Sequence, residues 1–252
     1  MQKLLSLSLL ITITACSSLV DKVEKDKLAT VKKVAIVGFT MDRANPKDAA
    51  SVLKRILKIG TDDKGMTVAV DLVHDEKADY AYSLVSKRLS ERLNVSVLPQ
   101  KEVMANKTIA RLFAKKDEKI QMGVTPNYAN YERLEAKGIP QPYYVRNEGP
   151  AVLQELCKEL KVDAVMFVTT TAHTDSPGIW TLGIGRVGAE SDLAVQMYQP
   201  EIKEYTLVLN QRGDTVKFGN ITFFGGVEEK DQLVPKQYQS FESALDKLVG
   251  RL

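Results

Sequence analysis

The sequence predicts a mixed α/β domain in which a single sheet is flanked by helices. A near-continuous apolar run over residues 31–39 is typical of a strand that is buried on both faces. Apolar residues recur with helical spacing over residues 78–93 and 150–160, and a short apolar segment follows each stretch. Strand–helix units of this kind, followed by a β meander and a C-terminal helix, favour a mixed α/β or α+β fold over a doubly wound sheet.

Further elements complete the first half of this pattern. A helix over residues 48–60 has an aspartate at its start and a glycine at its end, and residues 66–73 follow as a strand. The helix over residues 78–93 has an apolar stripe that consists of Ala81, Leu84, Val85, Leu89 and Leu93. A short strand over residues 95–98 ends at a proline.

The second half repeats this order before the pattern changes. Pro150 suits the first turn of a helix over residues 150–160, and a buried strand follows over residues 162–168. The predicted antiparallel meander has segments at 179–187, 193–198, 205–210 and 215–224. Pro235 then precedes a terminal helix with an apolar side formed by Phe241, Leu245, Leu248 and Leu252.

The N-terminal residues have the pattern of a bacterial lipoprotein leader. Lys3 supplies a positive charge, and residues 4–13 form an apolar run that is too short to cross a bilayer of ~30 Å as a helix. The run ends in Ile13-Thr14-Ala15-Cys16, which has the form of a lipobox. We therefore expect residues 1–15 to be a removed signal peptide and Cys16 to carry the lipid. An ordinary secretory leader that contains a cysteine is the alternative.

The residues after Cys16 indicate a location. An aspartate directly after the cysteine commonly holds a lipoprotein in the inner membrane, whereas Ser17 is compatible with transfer to the outer membrane. We expect the periplasmic face of the outer membrane, with the cell surface as the alternative. Residues 16–30 have mixed charge and little apolar periodicity, which predicts a flexible tether, with a short helix as the alternative. Residues 31–252 would then form a single domain.

Composition restricts the classes of function. A hydrophobic fraction of 44% is ordinary for a folded protein, so general disorder is not expected. The formal net charge is +3 and no block of five like charges occurs, which gives no support to nucleic-acid binding. Cys157 is the only cysteine apart from Cys16, so no disulfide can form within the lipidated chain.

A segment over residues 115–149 interrupts the regular pattern. Its glycines and prolines break helices and strands, and a long ordered loop is more often functional than decorative. The segment carries four tyrosines, which are Tyr128, Tyr131, Tyr143 and Tyr144. Because tyrosine is enriched at interfaces, we expect these rings to contact partners or other copies of the chain. The alternative is that they only hold the loop against its own domain.

Two short motifs have a structural explanation as well as a chemical one. The spacing of Gly183, Gly185 and Gly188 matches a dinucleotide-binding fingerprint, but no strand–turn–helix unit surrounds it, which favours a glycine-bent β segment. Arg212-Gly213-Asp214 is a tripeptide that some adhesion receptors recognise. Because it lies between two β segments, where glycine and aspartate suit a hairpin turn, the turn is the favoured explanation.

Candidate catalytic and metal-binding residues are few. His74 and His173 are the only histidines, and a zinc site usually needs more nitrogen or sulfur ligands. His74 lies in an acidic stretch that is typical of a solvated loop, whereas His173 could pair with Asp175. Cys157 lies on the apolar stripe of its helix, which predicts an inert thiol. We therefore expect no metal, no cofactor and no catalytic residue.

Several segments resemble a known group of envelope proteins. They are Val34–Phe39, Leu89–Leu93, Val95–Pro99 and Leu156–Val165. Together with the lipobox, they are similar to the lipoproteins related to CsgG, PelC, LpoB and the amino-terminal domain of TolB. The resemblance covers roughly residues 31–252 and is weakest over residues 114–148. It implies a small mixed α/β domain that serves assembly, export or activation of envelope machinery through protein contacts and without a cofactor.

The sequence thus predicts a lipid-anchored, non-enzymatic periplasmic protein that binds or assembles other envelope proteins. The alternative is a periplasmic small-ligand-binding protein or hydrolase with a site around His173 and Asp175. A pocket with convergent polar groups would favour the alternative, and a flat apolar or tyrosine-rich patch would favour partner binding.

Overall fold

Nine strands form one mixed sheet in the described part of a computed structural model, which comprises residues 21–45, 72–115, 130–175, 186–220 and 232–252. The strands are β1 (Lys22–Val23), β2 (Lys33–Asn45), β3 (Leu72–His74), β4 (Ser96–Val97), β5 (Asn130–Glu135), β6 (Ala164–Asp175), β7 (Arg186–Gln199), β8 (Glu204–Arg212) and β9 (Val216–Asn220). The helices are α1 (Lys25–Leu28), α2 (Glu76–Leu93), α3 (Gln100–Met104), α4 (Lys107–Phe113), α5 (Pro142–Asn147), α6 (Pro150–Leu160) and α7 (Leu233–Gly250).

The order of the strands confirms the predicted fold class. The sheet runs β1-β8-β7-β6-β2-β5-β3, with β4 beside β2 and β9 beside β7. β2 pairs in parallel with β6, whereas β6, β7 and β8 pair in antiparallel order as the predicted meander requires. The C-terminal helix α7 packs on the meander.

The parallel pair of β2 and β6 is the buried centre of the sheet. Residues 34–37 of β2 are fully buried, as expected for a strand that is covered on both faces. The carboxylate of Asp163 accepts hydrogen bonds of 2.8 Å from the backbone N–H groups of both Lys32 and Lys33. These bonds fix the point at which β2 enters the sheet beside β6.

Helices cover both faces because successive residues of β2 point to opposite sides of the sheet. On one side, the ring of Phe39 meets the ring of Tyr82 in α2 edge-to-face, with 5.6 Å between the centroids. On the other side, a Cβ atom on Gly38 would lie 2.8 Å from the Cα atom of Pro142. Glycine at position 38 therefore allows α5 to approach the sheet closely.

Several elements lie where the apolar periodicity predicts them. α2, β4, α6 and α7 coincide closely with the helices and the strand predicted at these places. β2 and β6 begin near the predicted positions but continue further, to Asn45 and Asp175. The helix predicted over residues 48–60 lies outside the described residues, as do residues 66–71 of the strand predicted to follow it.

β7 differs from the meander that the sequence predicts. Two separate segments were expected at 179–187 and 193–198, but β7 is continuous from Arg186 to Gln199. Residues 179–185 lie outside the described part. The strand passes through Gly188, where its register against β9 shifts, so the last glycine of the fingerprint lies in an irregular strand rather than at the start of a helix.

Residues 21–30 belong to the folded domain, which corrects the prediction of a flexible tether over residues 16–30. β1 pairs in antiparallel order with β8, and α1 follows it, as the alternative of a short helix allowed. The Lys27 Nζ atom lies 2.9 Å from a Glu24 carboxylate oxygen and 3.0 Å from a Glu204 carboxylate oxygen. The segment is ordered by its pairing with β8 and by the contact with Glu204, which are distant in the sequence and leave no apolar period in it.

The predicted insert over residues 115–149 is also largely regular. β5 enters the sheet between β2 and β3, and α5 follows it on the face that contains Gly38. The prediction of one long loop is therefore wrong for residues 130–149. Residues 116–129 lie outside the described part.

The hairpin turn expected at Arg212-Gly213-Asp214 is not formed. β8 and β9 both pair in antiparallel order with β7, so the tripeptide joins two strands that run in the same direction along β7. The Gly213 N–H donates to the Ser191 carbonyl oxygen at 2.9 Å. The Asp214 carboxylate accepts from the Lys247 ammonium at 2.6 Å, and this contact lowers its pKa. Contacts within the domain therefore hold the tripeptide against α7.

We predict that Gly213→Ala destabilises the protein by about 2 to 3 kcal/mol, because its Cβ atom would overlap the backbone carbonyl of Ser240. Gly250→Ala is the matched control, since nothing lies within 4 Å of the Cβ position there, and it should change stability by less than about 0.5 kcal/mol. Urea unfolding of both variants measures the difference. Equal stabilities would show that the connection at Gly213 relaxes without cost.

Candidate functional site

The structure describes only some of the residues that the sequence singles out. Cys16 and Tyr128 lie outside the described residues. Tyr131 lies in β5, where its backbone pairs with Ala44, and its side chain is outside the described part. The expected roles of Cys16, Tyr128 and Tyr131 therefore stay predictions.

Tyr143 and Tyr144 are neighbours in α5 but have opposite surroundings. The side chain of Tyr143 is 48% exposed, whereas that of Tyr144 is only 5% exposed. Their rings meet edge-to-face with 5.9 Å between the centroids. The prediction of a contact surface is wrong for Tyr144, which belongs to the fold, and Tyr143 alone of this pair is available at the surface.

Cys157 is buried in α6, as its position on the apolar stripe predicts. Its side chain is 3% exposed, and burial raises the pKa of the thiol to about 12, with a smaller contribution from the negative charge of Asp163. The thiol therefore stays protonated at neutral pH and is a poor nucleophile.

The alternative site at His173 and Asp175 concerns side chains outside the described part. Their backbones lie in β6, opposite Glu190 and Gly188 of β7. Among the described residues, no group of three or more His, Cys, Asp or Glu side chains is placed to hold a metal ion. No described helix is both long enough and apolar enough to cross a membrane.

A groove lies on the α5 face of the sheet and has a volume of about 470 Å³. Gln196 and Val208 form part of its floor, where they lie opposite each other in β7 and β8. Arg146 of α5 and Lys22 of β1 also line it. We refer to this feature as the α5–β1 groove; its lining residues are Lys22, Arg146, Gln196, Glu204, Tyr205 and Val208.

Arg146 carries a charge that the groove does not neutralise directly. Its Nη1 atom donates to Gln196 Oε1 at 3.0 Å, and its Nε atom donates to the Pro142 carbonyl at 3.3 Å. The guanidinium carbon lies 6.0 Å from the centroid of the Phe167 ring. All of these contacts are to neutral groups, and no carboxylate of the described residues forms an ion pair with Arg146.

The other charges near the groove neutralise one another. Lys22 Nζ lies 3.0 Å from a Glu24 carboxylate oxygen and 3.6 Å from a Glu204 carboxylate oxygen. Lys27 contacts the same two carboxylates, and it is the main cause of their lowered pKa values. Two lysines and two glutamates therefore form a cluster with no net charge. Arg146 is then the source of the net positive charge of the groove.

This arrangement offers hydrogen-bond donors but no coupled acid and base. The Gln196 side chain is 7% exposed, and its carbonyl oxygen is already used by Arg146, so its amide nitrogen is left as a donor. No pattern in the sequence singles out Arg146, although this residue lies one helical turn after Tyr143, which the sequence predicts at the surface. Residues three apart on a helix are neighbours on its surface, so the position of Tyr143 was the signal that could have indicated Arg146.

Comparisons with known proteins identify no family for the chain. No family model matches the sequence, and no curated protein matches it. Among solved structures, the chain is similar to a hypothetical protein from Chlamydia trachomatis determined at 1.65 Å resolution, with a TM-score of 0.38 and 10% sequence identity. The match covers 88% of this chain and 95% of that chain.

We predict that Tyr144→Ala destabilises the protein by about 3 to 4 kcal/mol, because it removes a buried aromatic ring. Tyr143→Ala is the control one residue away and should change stability by less than about 0.5 kcal/mol. Chemical unfolding of the two variants checks this. A large loss for Tyr143→Ala would place both rings in the fold.

We predict that stability falls as the pH rises above about 9, partly through Cys157. The folded protein keeps the thiol proton up to a pKa of about 12, whereas the unfolded chain releases it near the ordinary value of 9.0. Stability is therefore lost between these two values, by at most about 1.4 kcal/mol per pH unit from this group. Urea unfolding at pH 8 and at about pH 10.5 should show a smaller loss for Cys157→Ala than for the natural chain. Identical losses would contradict a buried, protonated thiol.

Proposed function

We propose that the protein is a lipid-anchored, non-enzymatic protein on the periplasmic face of the outer membrane, where it binds or assembles other envelope proteins. The observation that carries this proposal is the lipobox that ends at Cys16, after an apolar run too short to span the bilayer. The resemblance to the CsgG, PelC, LpoB and TolB group supports a role in protein contacts.

The position of the folded domain relative to Cys16 fits an anchor. The described structure begins at Asp21, five residues after Cys16, and five extended residues span at most about 18 Å. Asp21 is itself fixed, because its carboxylate accepts from the Asn210 N–H at 3.0 Å and from the Arg251 guanidinium at 2.5 Å. A lipid on Cys16 would therefore hold the domain next to the bilayer by a short link.

The chemistry of the described residues supports binding rather than catalysis. Cys157, the one cysteine besides Cys16, has a buried thiol with a raised pKa. The α5–β1 groove has donors that can hold a ligand, and its one lining carboxylate, Glu204, is engaged with Lys22 and Lys27. The exposed Tyr143 lies on the helix that forms one wall of this groove and adds the contact area typical of an interface.

We predict that Cys16→Ala abolishes fatty-acid labelling and blocks cleavage of the leader at this site, because the thiol is the acceptor of the lipid. Metabolic labelling with a palmitate analogue, followed by mass measurement of the mature protein, tests this. Cys157→Ala is the matched control and should be labelled normally. Labelling that persists in the Cys16→Ala variant would contradict the anchor.

The partner-binding part of the proposal has a separate test. A photo-crosslinking amino acid at position 143 in native envelopes should capture a discrete set of envelope proteins. The same probe at the exposed position 91, on α2 and thus on the opposite face of the sheet, is the control. Captures that are the same at both positions, or absent at both, would contradict a contact surface at Tyr143.

A further inference from the structure

The charge of Arg146 indicates the chemistry of a ligand for the α5–β1 groove. The guanidinium is half-buried, and its described contacts are to neutral oxygens and to an aromatic ring. Arginine presents five donors in a planar fork, which matches a carboxylate or a phosphate. A partly buried arginine without a described carboxylate partner therefore favours an anionic group supplied from outside.

Two neighbouring side chains can assist the binding of such a group. Gln196 is held by Arg146 through its oxygen, so its amide nitrogen remains as a donor. Tyr205 packs its ring against Phe167 and Tyr198, with centroid distances of 6.4 and 5.4 Å. Its hydroxyl has no hydrogen-bond partner among the described residues. The groove therefore combines donors with ring and aliphatic surface.

The charges of the groove favour one carboxylate over a phosphate-rich surface. The cluster of Lys22, Glu24, Lys27 and Glu204 has no net charge, so Arg146 can compensate a single negative charge. Because the cluster is neutral, the groove has no further cation to balance a polyanion or the headgroups of an anionic bilayer. A peptide that carries one Asp or Glu beside an apolar residue matches both the charge and the surface of Tyr205 and Val208.

We infer that the α5–β1 groove binds a carboxylate-bearing segment of a partner protein, with Arg146 holding the carboxylate in a charge-assisted hydrogen bond. Gln196 orients the guanidinium and donates to the same group. Tyr205 and Val208 contact the adjoining apolar side chain, and Tyr143 lies one turn from Arg146 at the surface. This inference deepens the proposed function and rests on it only for the partner being an envelope protein.

Peptide arrays test this inference without any lipid or native partner. The mature chain, with Cys16 replaced by Ala so that no lipid contributes, is labelled and applied to two arrays of random decapeptides. The arrays differ only in having Glu or Gln at the central position. We expect binding that favours the Glu array, and Arg146→Gln should weaken it about tenfold or more, because a charge-assisted hydrogen bond is lost.

Matched variants separate the groove from general charge effects. Arg88→Gln removes the same charge on α2, where Arg88 pairs with Asp246 at 3.5 Å, and should leave binding unchanged. Arg146→Lys keeps the charge without the fork and should retain part of the binding. If Arg146→Gln fails to fold, competition on the natural chain replaces it. Sodium acetate should then displace the peptides, whereas sodium chloride of equal ionic strength should not.

Three results would overturn the inference. The first is equal binding to the Glu and Gln arrays, and the second is binding that Arg146→Gln or acetate does not weaken. The third is that neither array binds the chain, while phosphatidylglycerol vesicles bind it in a way that depends on Arg146. That result would assign the groove to the membrane. None of these results affects fatty-acid labelling at Cys16 or crosslinking at position 143. Failure of the groove and failure of the proposed function are therefore distinguishable.

Discussion

The register of β2 against β6 is the constraint on which the rest of the structure depends. The two strands come from different halves of the chain and pair in parallel, so every other element must pack around their ladder. Asp163 fixes this register by binding the first backbone N–H groups of β2. A slip of one residue would exchange the two faces of β2, which would turn Phe39 toward α5 and remove Gly38 from beneath Pro142. The helices on the two sides are compatible with only one register.

Apolar periodicity predicted the elements that bury an apolar face. It failed for elements whose buried residues are polar or charged. β2, α2, α6 and α7 each bury a continuous run or stripe that is visible in the sequence. β5 does not, because Arg133 and Glu135 are 9% and 1% exposed there. Arg133 forms a two-pronged ion pair with Asp42 of β2, at 2.8 Å for the shorter contact. A strand with buried charges has no apolar period, so the sequence predicts a loop at these residues.

The candidate site could be predicted only in part, for a similar reason. Interface propensity indicated a tyrosine-bearing surface, but it cannot separate Tyr143 from Tyr144, whose exposure is decided by the direction of α5 over Gly38. Arg146 is one of many basic residues in the sequence. It differs in being half-buried in a groove without a described carboxylate partner. Its neighbours Gln196 and Tyr205 come from β7 and β8, which are distant from α5 in the sequence. The pairing of charges is a tertiary property and leaves no local pattern.

The edge of the sheet at β8 is protected against pairing with a strand of another chain. At Asn210, beyond the two residues that β1 covers, the backbone N–H donates to Asp21 and the carbonyl accepts from Arg251. An exposed edge would be a template for pairing with another chain, and a lipid anchor would raise the local concentration of copies. The side chains of Asp21 and Arg251 satisfy these backbone groups instead. The binding that we propose beside this edge therefore involves the side chains of the α5–β1 groove, which would select a partner by its charge and shape rather than by its backbone.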